Sequence, residues 1–237
     1  MSEVHRVSVE IGGSDIHFET GKLAKQASGA VLVASGDTRV LSTATAGNLR
    51  DIDFMPLTVD IEERMYAAGK IPGSFFKREG RAGEKATLIA RMIDRPLRPL
   101  FPKGWRYETQ LVSIPLSIDH DHPYDILAMN GASAALMVSN IPFPTPVGAV
   151  RIGKVEGNFV VNPTEEQQLT ADLGLGDLVR ARLDHEDGLV GARDDEVEVG
   201  LELLLLRRVD DEVAVHLADP HGADRRRERD VGHHQRR

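Results

Sequence analysis

The chain has 237 residues, enough for one large domain or two small ones with a real core. Hydrophobic residues make up 41% and charged residues 28%, and the absence of cysteine excludes a disulfide framework, a thiol nucleophile and a thiolate metal site. The net charge of −8 argues against a whole-surface electrostatic grip on nucleic acid. The charge is uneven, however. Residues 1–168 hold 18 Lys and Arg against 20 Asp and Glu, and residues 169–237 hold 11 Arg against 17 acids, so a local basic site in the first part stays open. The start, MSEVHRVSVE, lacks the basic-then-apolar pattern of a secretory signal. No apolar run approaches the roughly 20 residues that cross a bilayer. A cytoplasmic protein with no membrane partner is the expectation.

In chain order, residues 4–11 end in the alternation Val7, Val9, Ile11, the signature of a half-buried strand. A turn at Gly12-Gly13-Ser14-Asp15 and renewed alternation over residues 16–19 predict a hairpin. Residues 30–34 and 39–45, around Ser35-Gly36-Asp37-Thr38, predict a second hairpin whose β-branched and small residues suit a covered sheet. Leu57-Thr58-Val59-Asp60-Ile61 alternates as another strand. From Glu84 to Arg95 the period becomes helical, with Leu88, Ile89, Met92 and Ile93 as the apolar stripe, and Pro96 is expected to end the helix. Residues 110–114 read as a strand ending at Pro115. Asp121-His122-Pro123-Tyr124-Asp125 opens a helix whose small-residue run, Asn130 to Ala135, allows close packing. Pro142, Pro144 and Pro146 mark an extended connection, and residues 147–152 and 158–161 make a last hairpin.

Two stretches carry candidate chemistry. In IPGSFFKREGR, Ile71 to Arg81, Phe75 and Phe76 precede Lys77 and Arg78 inside a frame of Pro72, Gly73 and Gly80. Aromatic rings beside cations suit single-stranded nucleic acid, where bases stack and phosphates pair. The same composition also suits two Phe plugging a neighbouring core with the charges solvated. Arg91, Arg95 and Arg98 follow in RMIDRPLRP, the first two on one helix face. They suit a phosphate-binding patch, or local pairing with Glu84 and Asp94. His120 and His122 with Asp119 and Asp121 invite a metal. No second cluster lies nearby in sequence, so they read as a solvated loop and a helix start. Walker, zinc-protease and serine-hydrolase motifs are absent.

Residues 169–237 change character. They lack Ile, Lys, Met, Phe, Tyr, Trp, Ser and Asn together and end in ADRRRERDVGHHQRR. This reads as a disordered acidic–basic tail or as the product of a shifted reading frame in GC-rich DNA, with no cooperative core expected.

YAAGKIPGSFFKREGR and TLIARMIDRPLRPLFP, then DILAMNGASAAL, IPFPTPVGAVRIG and VVNPTEEQ, resemble in order the first core domain of bacterial polynucleotide phosphorylase (polyribonucleotide nucleotidyltransferase). The resemblance covers residues 4–168 and implies an α+β fold of the RNase PH type, mixed sheets packed with helices. It implies a family that degrades mRNA from the 3′ end, with inorganic phosphate as co-substrate and nucleoside diphosphates as products. Implied with it are Mg2+, a homotrimeric ring, single-stranded RNA as partner and contact with the RNA-degradation machinery. Phe75, Phe76, Lys77 and Arg78 fall on the family's loop at the ring aperture, and Arg91, Arg95 and Arg98 on its arginine-rich segment near the RNA path. The loop commonly carries Arg-Arg where this chain has Lys77-Arg78. The family's second core domain carries a serine-rich phosphate segment and an aspartate cluster for the metal. The matching places here read Asn130-Gly131-Ala132-Ser133 and NPTEEQQLTADLGLG, so no catalytic or metal residue is assigned. The resemblance implies an RNA-binding N-terminal fragment of the enzyme. The alternatives are an autonomous single-domain phosphorolytic exoribonuclease and an assembly module without RNA binding.

Overall fold

A computed structural model describes residues 4–73, 79–155, 158–163, 167, 177–184 and 188–190. Within them the alternating segments form two sheets. The larger runs in the order β1 (His5–Ile11), β2 (Ser14–Thr20), β3 (Gly29–Ser35), β4 (Thr38–Leu49), β6 (Tyr107–Ser117), β5 (Leu57–Ile61). It is antiparallel except where β5 lies parallel to β6. Between them in sequence comes helix α1 (Glu84–Leu97), which packs on β5. Both predicted hairpins form, the first through the two-residue turn Gly12-Gly13 that pairs Ile11 with Ser14.

Helix α2 (Tyr124–Met137) is the centre of the molecule. Its residues from Ile126 to Ser133 are all buried, with Tyr124, Ala135 and Leu136. A helix apolar all round must be enclosed on every side, and this one lies against β3, β4 and β6 on one side and β7 (Val147–Val155) on another. Val31, Val33, Val40, Ala44 and Leu111 from the large sheet meet Leu127, Met129, Ala132 and Leu136 in one core. The small-residue run sets the spacing. A Cβ on Gly131 would sit 2.5 Å from the Ser42 hydroxyl oxygen, itself 2.8 Å from that of Ser113 in the sheet. Asn130 ties the helix to the second sheet, donating to the Ala149 carbonyl at 2.9 Å and accepting from the Ala149 N–H at 2.7 Å. Ser133 accepts from the Val147 N–H at 2.8 Å.

The second sheet runs β10 (Gly188–Val190), β9 (Asp177–Asp184), β7, β8 (Asn158–Val161), all antiparallel. β9 and β10 lie in the stretch of biased composition beyond residue 168. β9 pairs with β7 from Val147↔Arg182 to Ile152↔Asp177. Its sequence, DLVRARLD, alternates Val179, Ala181 and Leu183 with Arg180 and Arg182, a strand period the biased composition conceals.

Both prolines expected to end elements lie inside them. α1 continues through Pro96 to Leu97, with the Arg98 N–H closing on the Asp94 carbonyl. Pro96 and Leu97 are buried, and that packing outweighs the bias of Arg95 away from helix. β6 continues through Pro115, where the register to β4 skips Leu116. A proline has no N–H to give the ladder and is tolerated at such a bulge. The helical stripe also differs: Ala86, Ile89, Ile93 and Leu97 are buried, Met92 is half-buried, and Leu88 is 57% exposed.

Candidate nucleic-acid interface

The candidate interface is built on the segment that leaves β5. A short 3-10 turn, Met65–Ala68, is held to the end of β6 by the Ile118 N–H donating to the Ala67 carbonyl at 2.9 Å. The chain then runs through Lys70, Ile71 and Gly73 and returns at Glu79. Phe75, Phe76, Lys77 and Arg78 lie outside the described residues.

Both ends of this excursion are pinned together. The Glu79 carboxylate accepts from the Met65 N–H and, at 3.3 Å, from the Arg64 guanidinium, which also pairs with Glu62 at 2.6 Å. Beside it the Tyr124 hydroxyl donates to Glu63, and Lys85 stands 5.1 Å over the Tyr124 ring. Burial, and then Glu63, raises the Tyr124 pKa far above the ordinary tyrosine range, so the hydroxyl stays a donor. No motif flagged Arg64 or Glu79 in sequence, because a pairing 15 residues apart exists only once the chain has turned back.

The three arginines separate. Arg91 and Arg95 are exposed on α1 and have no ion-pair partner among the described residues. Arg98 is half-buried, and its guanidinium is committed. It holds Asp94 through two nitrogens, at 2.7 and 3.0 Å, and donates to the Met55 and Leu57 carbonyls at 3.0 Å each. Local pairing with Asp94 is therefore realised for Arg98, which locks α1 to the start of β5.

Two other clusters turn inward. Asp119 and His122 are half-buried rather than solvated. Asp119 accepts from the His122 N–H at 2.6 Å and the Asp37 N–H at 2.8 Å, and contacts the His122 ring at 3.1 Å. Burial pushes its pKa up, but these hydrogen bonds prevail and hold it below the usual value. Asn130 and Ser133 spend their polar groups on docking β7 and are 5% and 2% exposed, out of reach of a phosphate. A shallow pocket lined by Asp121, His122, Arg151 and Asn162 has its cation paired to Asp125. Among the described residues no three His, Asp or Glu side chains converge on a point that suits a divalent cation. Among the described residues no donor set fits Mg2+.

The model of the 3′ exoribonuclease family, domain 1, matches residues 13–142, and that of domain 2 of the family matches residues 145–176. The chain belongs to the 3′ exoribonuclease, or RNase PH, family. The break between the two matches falls in the proline-rich connection from α2 to β7. Among curated relatives, the polyribonucleotide nucleotidyltransferase of Desulforamulus reducens is 58% identical over 168 residues, 70% of this chain and 23% of the relative. That of Halalkalibacterium halodurans is 55% identical over 174 residues, 73% of this chain and 25% of the relative. That of Geobacillus kaustophilus is 51% identical over 209 residues, 86% of this chain and 28% of the relative. The chain thus spans about a quarter of the length of the relatives it matches, and the last match runs past residue 168. A crystal structure of Rrp46 from rice, Oryza sativa, shares the fold, with a TM-score of 0.54 and 14% identity over 92% of this chain and 94% of the rice chain. The mixed sheets packed with helices are those of the RNase PH family.

Proposed function

We propose that this chain is an RNA-binding, non-catalytic part of a polyribonucleotide nucleotidyltransferase, a phosphate-dependent 3′-to-5′ exoribonuclease of mRNA degradation. The observation that carries the reading is the extended identity to such enzymes, 51–58% over the relatives named above. Phe75 and Phe76 stack on bases of single-stranded RNA, and Lys77 and Arg78 pair with its phosphates. Arg91 and Arg95 add cations from α1, while Arg98 positions that helix. The base of the loop is tied to itself through Glu79, which accepts from Arg64 and from the Met65 N–H. The reaction, with phosphate and Mg2+, belongs to the complete enzyme, a homotrimer acting in the cytoplasm with the RNA-degradation machinery.

The test combines binding and chemistry. The purified chain should bind a 5′-labelled single-stranded oligoribonucleotide, and replacing Phe75 and Phe76 with Ala should weaken binding by about 30-fold or more. With phosphate and magnesium it should release no nucleoside diphosphate. Release by the chain alone would establish an autonomous phosphorolytic enzyme instead. Binding unchanged by the double replacement would leave an assembly module.

A further inference from the structure

The 3-10 turn at the foot of the loop has features that fold stability alone does not require. Tyr66 is 54% exposed, and its hydroxyl has no hydrogen-bond partner among the described residues. Exposed tyrosine is common, but this one sits on unusually well-fixed backbone. The turn closes with two bonds, the Gly69 N–H to the Tyr66 carbonyl and the Lys70 N–H to the Met65 carbonyl, both 2.9 Å. That is the paired 6→1 and 5→2 closure of a Schellman motif, and Gly69 supplies its left-handed residue at φ 67°. Glu79 holds the front of the turn at the Met65 N–H, and Ile118 holds its back at the Ala67 carbonyl. The backbone relation between Tyr66 and Lys70 is therefore fixed from three sides.

Three nearby acids are engaged: Glu62 and Glu79 by Arg64, and Glu63 by the Tyr124 hydroxyl. Lys70 and Arg81 are exposed, with no ion-pair partner among the described residues. Next to Lys70 in sequence, Ile71 is 88% exposed, an apolar side chain beside the cation. An exposed ring on a fixed turn, an apolar neighbour and an ammonium without an ion-pair partner among the described residues match a nucleotide's base and phosphate. An acidic peptide would use the ammonium and leave the ring idle.

We infer that Tyr66 and Lys70 form a separate subsite for single-stranded RNA at the foot of the loop, Tyr66 stacking on a base and Lys70 pairing with a phosphate. The inference rests on the RNA-binding reading above and extends it to Tyr66 and Lys70, to which the resemblance gave no role. Stacking is tolerant of base identity, so the subsite takes any single-stranded sequence, and Lys70 makes one contribution to the salt dependence.

The experiment is fluorescence anisotropy of the full chain with labelled oligo(A) and oligo(U), at several salt concentrations. Tyr66→Ala should weaken binding by about 5- to 100-fold with the salt slope unchanged. Tyr66→Phe should bind like the wild type, and Tyr66→Leu should not. Lys70→Gln should lower the slope of log K against log salt by about 0.7. Tyr66 is exposed, so each variant should keep the wild-type melting curve, which is recorded alongside. Wild-type binding that falls with F75A/F76A but is unmoved by Tyr66→Ala or Lys70→Gln overturns the subsite and leaves the RNA-binding reading standing. Tyr66→Leu binding like the wild type also overturns it. No binding by the wild-type chain overturns the RNA-binding reading itself.

Discussion

Arg91, Arg95 and Arg98 are one residue type in one short run, yet they carry different loads. Arg98 satisfies two backbone carbonyls and a carboxylate at once, and charge-assisted bonds of this kind contribute about 1.5–3 kcal/mol. Arg98→Gln should therefore lower the melting temperature by several degrees, whereas Arg91→Gln and Arg95→Gln should stay within about 0.5 kcal/mol of wild type in a denaturant titration. The two exposed replacements should instead weaken RNA binding and flatten its salt dependence. A titration in which Arg98→Gln is as stable as wild type would remove its structural role. Asp119 makes a second prediction at this scale. Its folded pKa lies below the unfolded value near 4. Its ionised form therefore stabilises the fold above that value, and the contribution disappears as pH falls through the depressed folded pKa. The stability gap between wild type and Asp119→Asn should be level from pH 5 to 7 and close below pH 4. A gap that widens on acidification would contradict the assignment.

At the scale of elements, α2 joins the two sheets, and Asn130 is its joint to β7. Truncating Asn130 to Ala strands the Ala149 N–H and carbonyl in the interior, at about 1–3 kcal/mol for each unsatisfied group. Asn130→Ala should be much less stable than wild type by urea unfolding, and Ser133→Ala, which strands a single N–H, should cost less. Equal stability would mean that β7 docks through apolar contacts alone. The helix was legible in the sequence as a run of small and apolar residues. The function of Asn130 was not, because its partner lies 19 residues on and is backbone. Likewise Pro96 and Pro115 carry a true local bias against helix and ladder. A buried turn and a bulge overrode it, and both depend on neighbours from elsewhere in the chain.

Across the whole molecule, net charge misleads about the candidate site. A chain of net charge −8 still presents Lys70, Arg81, Arg91 and Arg95 without acidic partners among the described residues, because nearby Glu62, Glu79 and Asp94 are held in ion pairs by Arg64 and Arg98. Charge is counted along a sequence but cancelled in space. The same distinction governs residues 177–190. Their composition removes every large aromatic and Ile, yet main-chain pairing needs only extended backbone and an open edge, which β7 supplies.

The sequence by itself determined the hairpins, both main helices and the family, since period, turn residues and long motifs are local and survive without coordinates. It also located the aromatic and cationic loop. Only the tertiary structure decided which arginine is structural, which acids are already spent and which tyrosine stands free on a rigid turn. Those properties belong to pairs of groups that the fold brings together from distant parts of the chain, and no single stretch of sequence contains both members.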